Sequence, residues 1–160
     1  LISEHLSNDA FDRLYAEADA LVSLHRAEGF GLSLAEAMAA ELPVVATGYS
    51  GNLDFMPPGS AELIPYQMVP ITQPEGDYRA GAIWAEPDLD KAAQALHQLA
   101  TQPTHQQQLA LKGRAAVESN LNPTKIGKIV RERLGCLVGR PGRAELVRQL
   151  PLQHPWRPLG

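Results

Sequence analysis

A parallel α/β sheet with helices packed on its faces is the fold class this sequence predicts. The first observation is a pair of short apolar runs, ALVSL (20–24) and VVAT (44–47), each of the kind expected for a strand buried on both faces. The second is the order of patterns. Helix, strand, helix and strand alternate with short loops, the signature of βαβ units. The third is size and composition. With 160 residues, 44% of them hydrophobic and 20% charged, the chain suits one globular domain with a core of its own.

Each element has a local reason. LIS (1–3) reads as the end of a strand. Ser7 is a suitable helix N-cap, and Phe11, Leu14, Tyr15 and Ala18 then recur at helical spacing. Residues 32–41, LSLAEAMAAE, are strong helix formers, with Leu32, Ala35, Met38 and Ala39 expected inward. Pro43 closes that helix and opens the second strand. From Gly48 to Gly81 prolines and glycines break the pattern, and AELIPYQMVPI is expected to give short strands near an edge, since proline donates nothing to a ladder. A helix starting at Pro87 or Asp88 carries Leu89, Ala92, Ala93, Leu96, Leu99 and Ala100 on one face. Thr104 is expected to cap a second helix reaching about Ser119, and Asn122-Pro123 a third, lined inwardly by Ile126, Ile129, Val130 and Leu134. The pattern fades after Gly135. The expected division is a domain over 1–138 and a tail or linker over 139–160.

Composition excludes some function classes. A formal net charge of -4 argues against nucleic acid, whose phosphates need clustered Lys and Arg. The basic bias lies late, at Lys125, Lys128, Arg131 and Arg133, then Arg140, Arg143 and Arg148. It reads first as a solvated helix face, second as a patch for an anionic membrane or partner. The single cysteine, Cys136, allows no internal disulfide or cysteine-based metal site and fits a reducing compartment. No apolar run has the length of a membrane span, and no leader pattern is visible. The expected location is cytoplasmic, with any membrane contact peripheral and made through a parent protein. The start at Leu1, within an apolar-polar pattern, suggests a chain that begins inside a larger one.

The chemistry concentrates in HRAEGFGLSLAEAMAAELPVVATGYSGN (25–52). In open α/β sheets ligands sit beyond the carboxyl ends of the strands, and two loops, 25–31 and 48–53, leave such ends. The first feeds a helix whose free amides favour an anion, with Gly29 and Gly31 permitting close approach. Glu28 and Glu36 bracket that turn. Ionised carboxylates only accept hydrogen bonds, so they suit polyol hydroxyls rather than phosphate. A phosphate flanked by two polyols, the layout of a nucleotide-sugar, satisfies both features. Singly, each feature has a structural explanation: Glu36 as a charge complementing the helix dipole, Glu28 and Arg26 as loop charges.

The joint pattern resembles a known family. EGFGLSLAEAMA resembles the E-x7-E signature of retaining glycosyltransferases with the GT-B fold, and ELPVVATGYSGNLDFM and LIPYQMVPI…GDYRAGAIWAEPD are similar to one large bacterial branch. The resemblance covers about residues 1–135. It implies a Rossmann-like donor-binding domain, the C-terminal half of a GT-B fold incomplete at its N-terminus, and retaining transfer of a sugar from a nucleotide-sugar without a metal or other cofactor. Glu28 would contact hydroxyls of the transferred sugar. Gly29, Phe30, Gly31 and Leu32 would hold sugar or diphosphate through their amides, and Glu36 the ribose diol. Ser50, Gly51 and Asn52 would line the opposite wall, with His25 and Arg26 beside the turn.

Departures from that pattern set further expectations. The family's acceptor-binding domain would be the missing partner. Residues 1–90 contain no lysine and only Arg13, Arg26 and Arg79, so Arg26 is the one nearby cation for a diphosphate, and the fragment alone is expected to be inactive. His25 is expected to line the crevice structurally, Trp84 to be core, Asp54 to pair with a loop amide and Phe30 to pack under the turn. A pyridoxal-phosphate phosphorylase of the same architecture is disfavoured, because no lysine precedes Lys91. The remaining alternative is a non-catalytic nucleotide-sugar-binding or interaction module.

Overall fold

The computed structural model describes residues 3 and 5–138. The LIS reading falls largely, and the 139–160 tail with Arg140, Arg143 and Arg148 wholly, outside them. The chain divides into two units, Leu1–Asn122 and Pro123–Gly160.

The first unit opens with helix α1 (Asn8–Glu17), whose Ser7 hydroxyl accepts from the Ala10 amide as the cap reading expects. Strand β1 (Leu21–Ser23), helix α2 (Leu32–Ala39) and strand β2 (Val44–Thr47) follow as a βαβ unit, with Leu21, Val22 and Ser23 in parallel register with Val44, Val45 and Ala46. Strand β3 (Glu62–Ile64) pairs parallel on the other side of β2, giving the order β1-β2-β3. β2 is therefore central, and all four of its residues are buried. Among the described residues β1 is an edge strand, and its Val22 is exposed, against the expectation of burial on both faces.

The two faces of β2 seed two cores, as strand alternation requires. Val44 and Ala46 join Leu34, Met38, Phe55 and Val117, while Val45 joins Ile64, Ala92, Leu99 and Leu109. Helix α3 (Leu89–Thr101) and helix α4 (Pro103–Asn120) supply the outer layers. Asp88 caps α3 by accepting from the Lys91 amide at 3.0 Å. The cap of α4 is Gln102, two residues before the expected Thr104, with Pro103 in the first turn, where proline's missing N–H is harmless.

Two corrections concern helix faces. α2 buries Leu34, Ala35, Ala37 and Met38 and leaves Leu32 exposed. The face is turned because α2 is covered by α4 as well as by the sheet, with Met38 against Gly113. In the second unit, helix α5 (Pro123–Val138) exposes Ile126, Ile129, Val130 and Leu134, against the expectation that they line an inner side. Its Lys128 lies 4.0 Å from Glu132 along an exposed face.

The short strands expected of AELIPYQMVPI near an edge are present. After β3, strand β4 (Tyr66–Pro70) pairs antiparallel with strand β5 (Ile83–Pro87) in a hairpin of its own. β5 escapes a sequence reading because its residues merge into the start of α3. Among the described residues no helix is long and apolar enough to cross a membrane.

Candidate functional site

The loops leaving β1 and β2 dock directly on one another. Gly51 packs so closely on the first loop that a Cβ there would lie 1.9 Å from the Gly29 carbonyl oxygen, and only glycine fits. The Ser50 hydroxyl donates to the Glu28 carbonyl at 2.6 Å. Ser50 itself has φ 80° and ψ -150°, a region that glycine normally occupies, at a strain of about 1–3 kcal/mol. His25 joins the same seam. Its Nε2 is 3.0 Å from the Tyr49 carbonyl, which can only accept, so Nε2 carries the proton and Nδ1 accepts from the Ser23 hydroxyl at 3.2 Å. Both ring nitrogens are thereby engaged within the seam.

The turn ends at Gly31, whose φ of 89° places it in the left-handed region as N-cap of α2. No capping side chain follows it. Instead Glu28 folds back, and its Oε1 accepts from the amides of Phe30 at 3.2 Å and Gly31 at 3.0 Å. The next amides, of Leu32 to Leu34, open the helix and have no carbonyl within it to bond. The mouth of α2 thus gathers N–H groups beside a half-buried carboxylate. Phe30 rests on buried Phe55, ring centroids 5.2 Å apart, which anchors the turn from below.

Glu36, one turn further, faces α1. The Tyr15 phenol lies 3.3 Å from Glu36 Oε2 and 3.2 Å from the Ser33 carbonyl, one hydrogen shared between them. Desolvation first, then the charge and hydrogen bond of Glu36, push the phenol's pKa up, so Tyr15 stays protonated as a donor. These two residues line a cavity of about 630 Å³ with Phe11, Asp12, Ala39 and Ala40. His25 and Arg26 line a different one.

Two expected site residues are placed otherwise. Asn52 is fully buried and lines no wall. Its Nδ2 donates to the Thr47 carbonyl at 3.1 Å, pinning the second loop from inside, while Asn52 Oδ1 and Thr47 Oγ1 have no protein partner. Arg26 is already engaged within the protein. Its Nε and Nη2 bond both oxygens of Glu86 at 2.6 and 3.0 Å, and its guanidinium lies 4.4 Å over the Trp84 ring. Trp84 is half-buried beneath that guanidinium rather than in the core. The loop-amide bond expected of Asp54 is absent among the described residues. No three His, Cys, Asp or Glu side chains among them converge as a metal site requires.

Sequence reading missed Tyr15 as a site residue, because its helical spacing marks it equally well as core. It missed the Arg26–Trp84–Glu86 cluster because sixty residues separate its parts. The family model of the glycosyl transferases group 1 matches residues 2–116, spanning both docked loops, both glutamates and the hairpin. No curated protein matches the chain. A match over most of the sequence, on a parallel α/β sheet whose two strand-end loops meet at a helix mouth, establishes that the chain belongs to the group 1 glycosyltransferases.

Proposed function

We propose that this chain is the donor-binding half of a retaining glycosyltransferase, taking a nucleotide-sugar and working with a separate acceptor-binding domain. The observation that carries the reading is Glu28 seated on the Phe30 and Gly31 amides. Those amides converge on one acceptor atom, and a donor's phosphate or sugar oxygen offers the same chemistry. Exchange would release Glu28 to accept from hydroxyls of the transferred sugar, while the mouth of α2 supports the negative charge growing on the departing phosphate. In that transfer the bond from the anomeric carbon to the phosphate oxygen breaks, and one to the acceptor oxygen forms on the same face. The acceptor's proton passes to the departing phosphate. Glu36 would accept from the ribose diol, with Tyr15 holding its carboxylate in place. Gly29 and Leu32 would add backbone contacts, and Ser50 and Gly51 would hold the turn rather than touch the donor. The reading calls on no metal or other cofactor.

The test is calorimetric titration of the protein with a panel of nucleotide-sugars, beside a product assay with the acceptor domain supplied. Glu36→Ala should weaken donor binding by about 1.5–3 kcal/mol, the range for a hydrogen bond to a charged group. Unchanged affinity would remove Glu36 from the site. Donor binding without transfer in the reconstituted protein would favour the non-catalytic module, a reading supported by the commitment of both His25 nitrogens and of Arg26 elsewhere.

A further inference from the structure

The second cavity is separate from the donor mouth and has its own chemistry. It measures about 680 Å³, within the range of small-molecule sites, and is walled by Arg26, Glu75, Asp77, Tyr78, Trp84 and Glu86. A neighbouring cavity of about 410 Å³ shares Glu75, Trp84 and Glu86 with it.

The wall is assembled by the excursion between β4 and β5. The amides and carbonyls of Glu75 and Tyr78 exchange hydrogen bonds at 3.1 and 3.0 Å across Gly76 and Asp77. Gly76, at φ 56°, stands first in that two-residue turn, the pattern of a type II′ hairpin. Directly opposed residues share a face of such a ribbon, so Glu75 and Tyr78 are presented together. Tyr78 meets the Trp84 ring edge-on at 5.9 Å, and Trp84 carries Arg26 on its face.

The charges decide what fits. Three carboxylates, Glu75, Asp77 and Glu86, line the cavity with the one guanidinium of Arg26, which Glu86 already holds in a two-pronged bond. An anion is repelled. Glu75 and Asp77 would draw a cation, but the Trp84 face that would seat one is already covered by Arg26. What remains is a ligand that both donates and accepts. Glu75, 3.9 Å from Arg26, and Asp77 keep carboxylate oxygens for hydroxyl donors, and Arg26 has five N–H groups of which Glu86 uses two. The exposed Tyr78 ring offers an apolar face for C–H groups.

From this we propose that the cavity beside the hairpin binds a neutral saccharide. That binding does not rest on the glycosyl-transfer reading above. The chain has two tryptophans, Trp84 and Trp156, so Trp156→Phe in the full chain leaves Trp84 as the sole fluorescent reporter. The probes are an array of defined neutral, anionic and amine-bearing oligosaccharides, followed by solution titration of the best neutral one. Neutral oligosaccharides should be retained and should change Trp84 emission saturably. Glu75→Gln and Tyr78→Ala, both at exposed positions, should each weaken that binding at least tenfold, and Glu36→Ala should leave it unaltered. Retention of none, retention of only charged ones, displacement by a nucleotide-sugar, or unchanged affinity in both variants overturns the proposal. Loss of nucleotide-sugar binding with saccharide binding intact would count against the donor reading alone.

Discussion

Gly51 and Gly29 face each other across the docked loops with opposite tolerance. A Cβ at Gly51 would overlap the Gly29 carbonyl, while one at Gly29 meets open space. Gly51→Ala should therefore force the loops apart and destabilise the protein by about 2 kcal/mol, in the range for overpacking, while Gly29→Ala should cost far less. Chemical denaturation of the two variants checks this, and equal losses would show that the loops give way. The Tyr15 phenol tests the other glutamate. Its raised pKa means that the stability it contributes is present below pH 10, its ordinary value, and declines as pH rises through the higher folded value. Glu36→Gln should lower the phenol's pKa only in part, since desolvation is the larger cause. Ring-carbon NMR of labelled tyrosine follows it through alkaline pH, and a full return to the ordinary value would assign the shift to Glu36 instead.

At the scale of elements, the β4–β5 hairpin is tied to the loop after β1 by backbone and by charge. The Ala85 amide donates to the Arg26 carbonyl at 3.0 Å, and the Arg26–Glu86 pair closes the same junction. Arg26 holds the Glu86 carboxyl below its usual range, through the hydrogen bond first. A lowered carboxylate pKa contributes stability above the ordinary value of 4.5 that is lost as pH falls through the folded value. Both side chains are more than a third exposed, so water screens the pair and its worth is under about 1 kcal/mol. Glu86→Gln should flatten the fall in stability below pH 4.5 by that small amount, as read from urea melts at stepped pH. Arg26→Lys should lose the two-pronged geometry and much of the contact with Trp84, and so should loosen the hairpin more than it changes the melt. Hydrogen exchange at the Ala85 amide would show whether it does.

For the whole molecule, the prediction is weak donor binding and no transfer by the 160-residue chain alone. The helix mouth presents neutral amides, Glu28 competes for two of them, and the nearest arginine by sequence is neutralised by Glu86 and Glu75. Transfer also needs donor and acceptor held in one reactive geometry, which a donor site does not supply. Turnover or submicromolar binding by this chain would contradict the reading.

The sequence by itself determined the βαβ unit, because buried β-branched runs and a helix-forming stretch between them leave little choice of local structure. It also determined the turn at 28–31, because glycines flanked by carboxylates before a helix have few other uses. Helix identity was legible; helix facing was not. Leu32 and Leu34 are equally apolar, and α2 is turned by the arrival of α4, residues 103–120, which no local pattern announces. The same limit explains Asn52 and Arg26. Each is a polar residue in a loop, suited to ligand or to structure, and only long-range packing seals Asn52 beneath the turn and brings Glu86 to Arg26 across sixty residues. Chemistry that depends on neighbours in sequence could be read from the chain. Chemistry that depends on neighbours in space was decided by the tertiary fold.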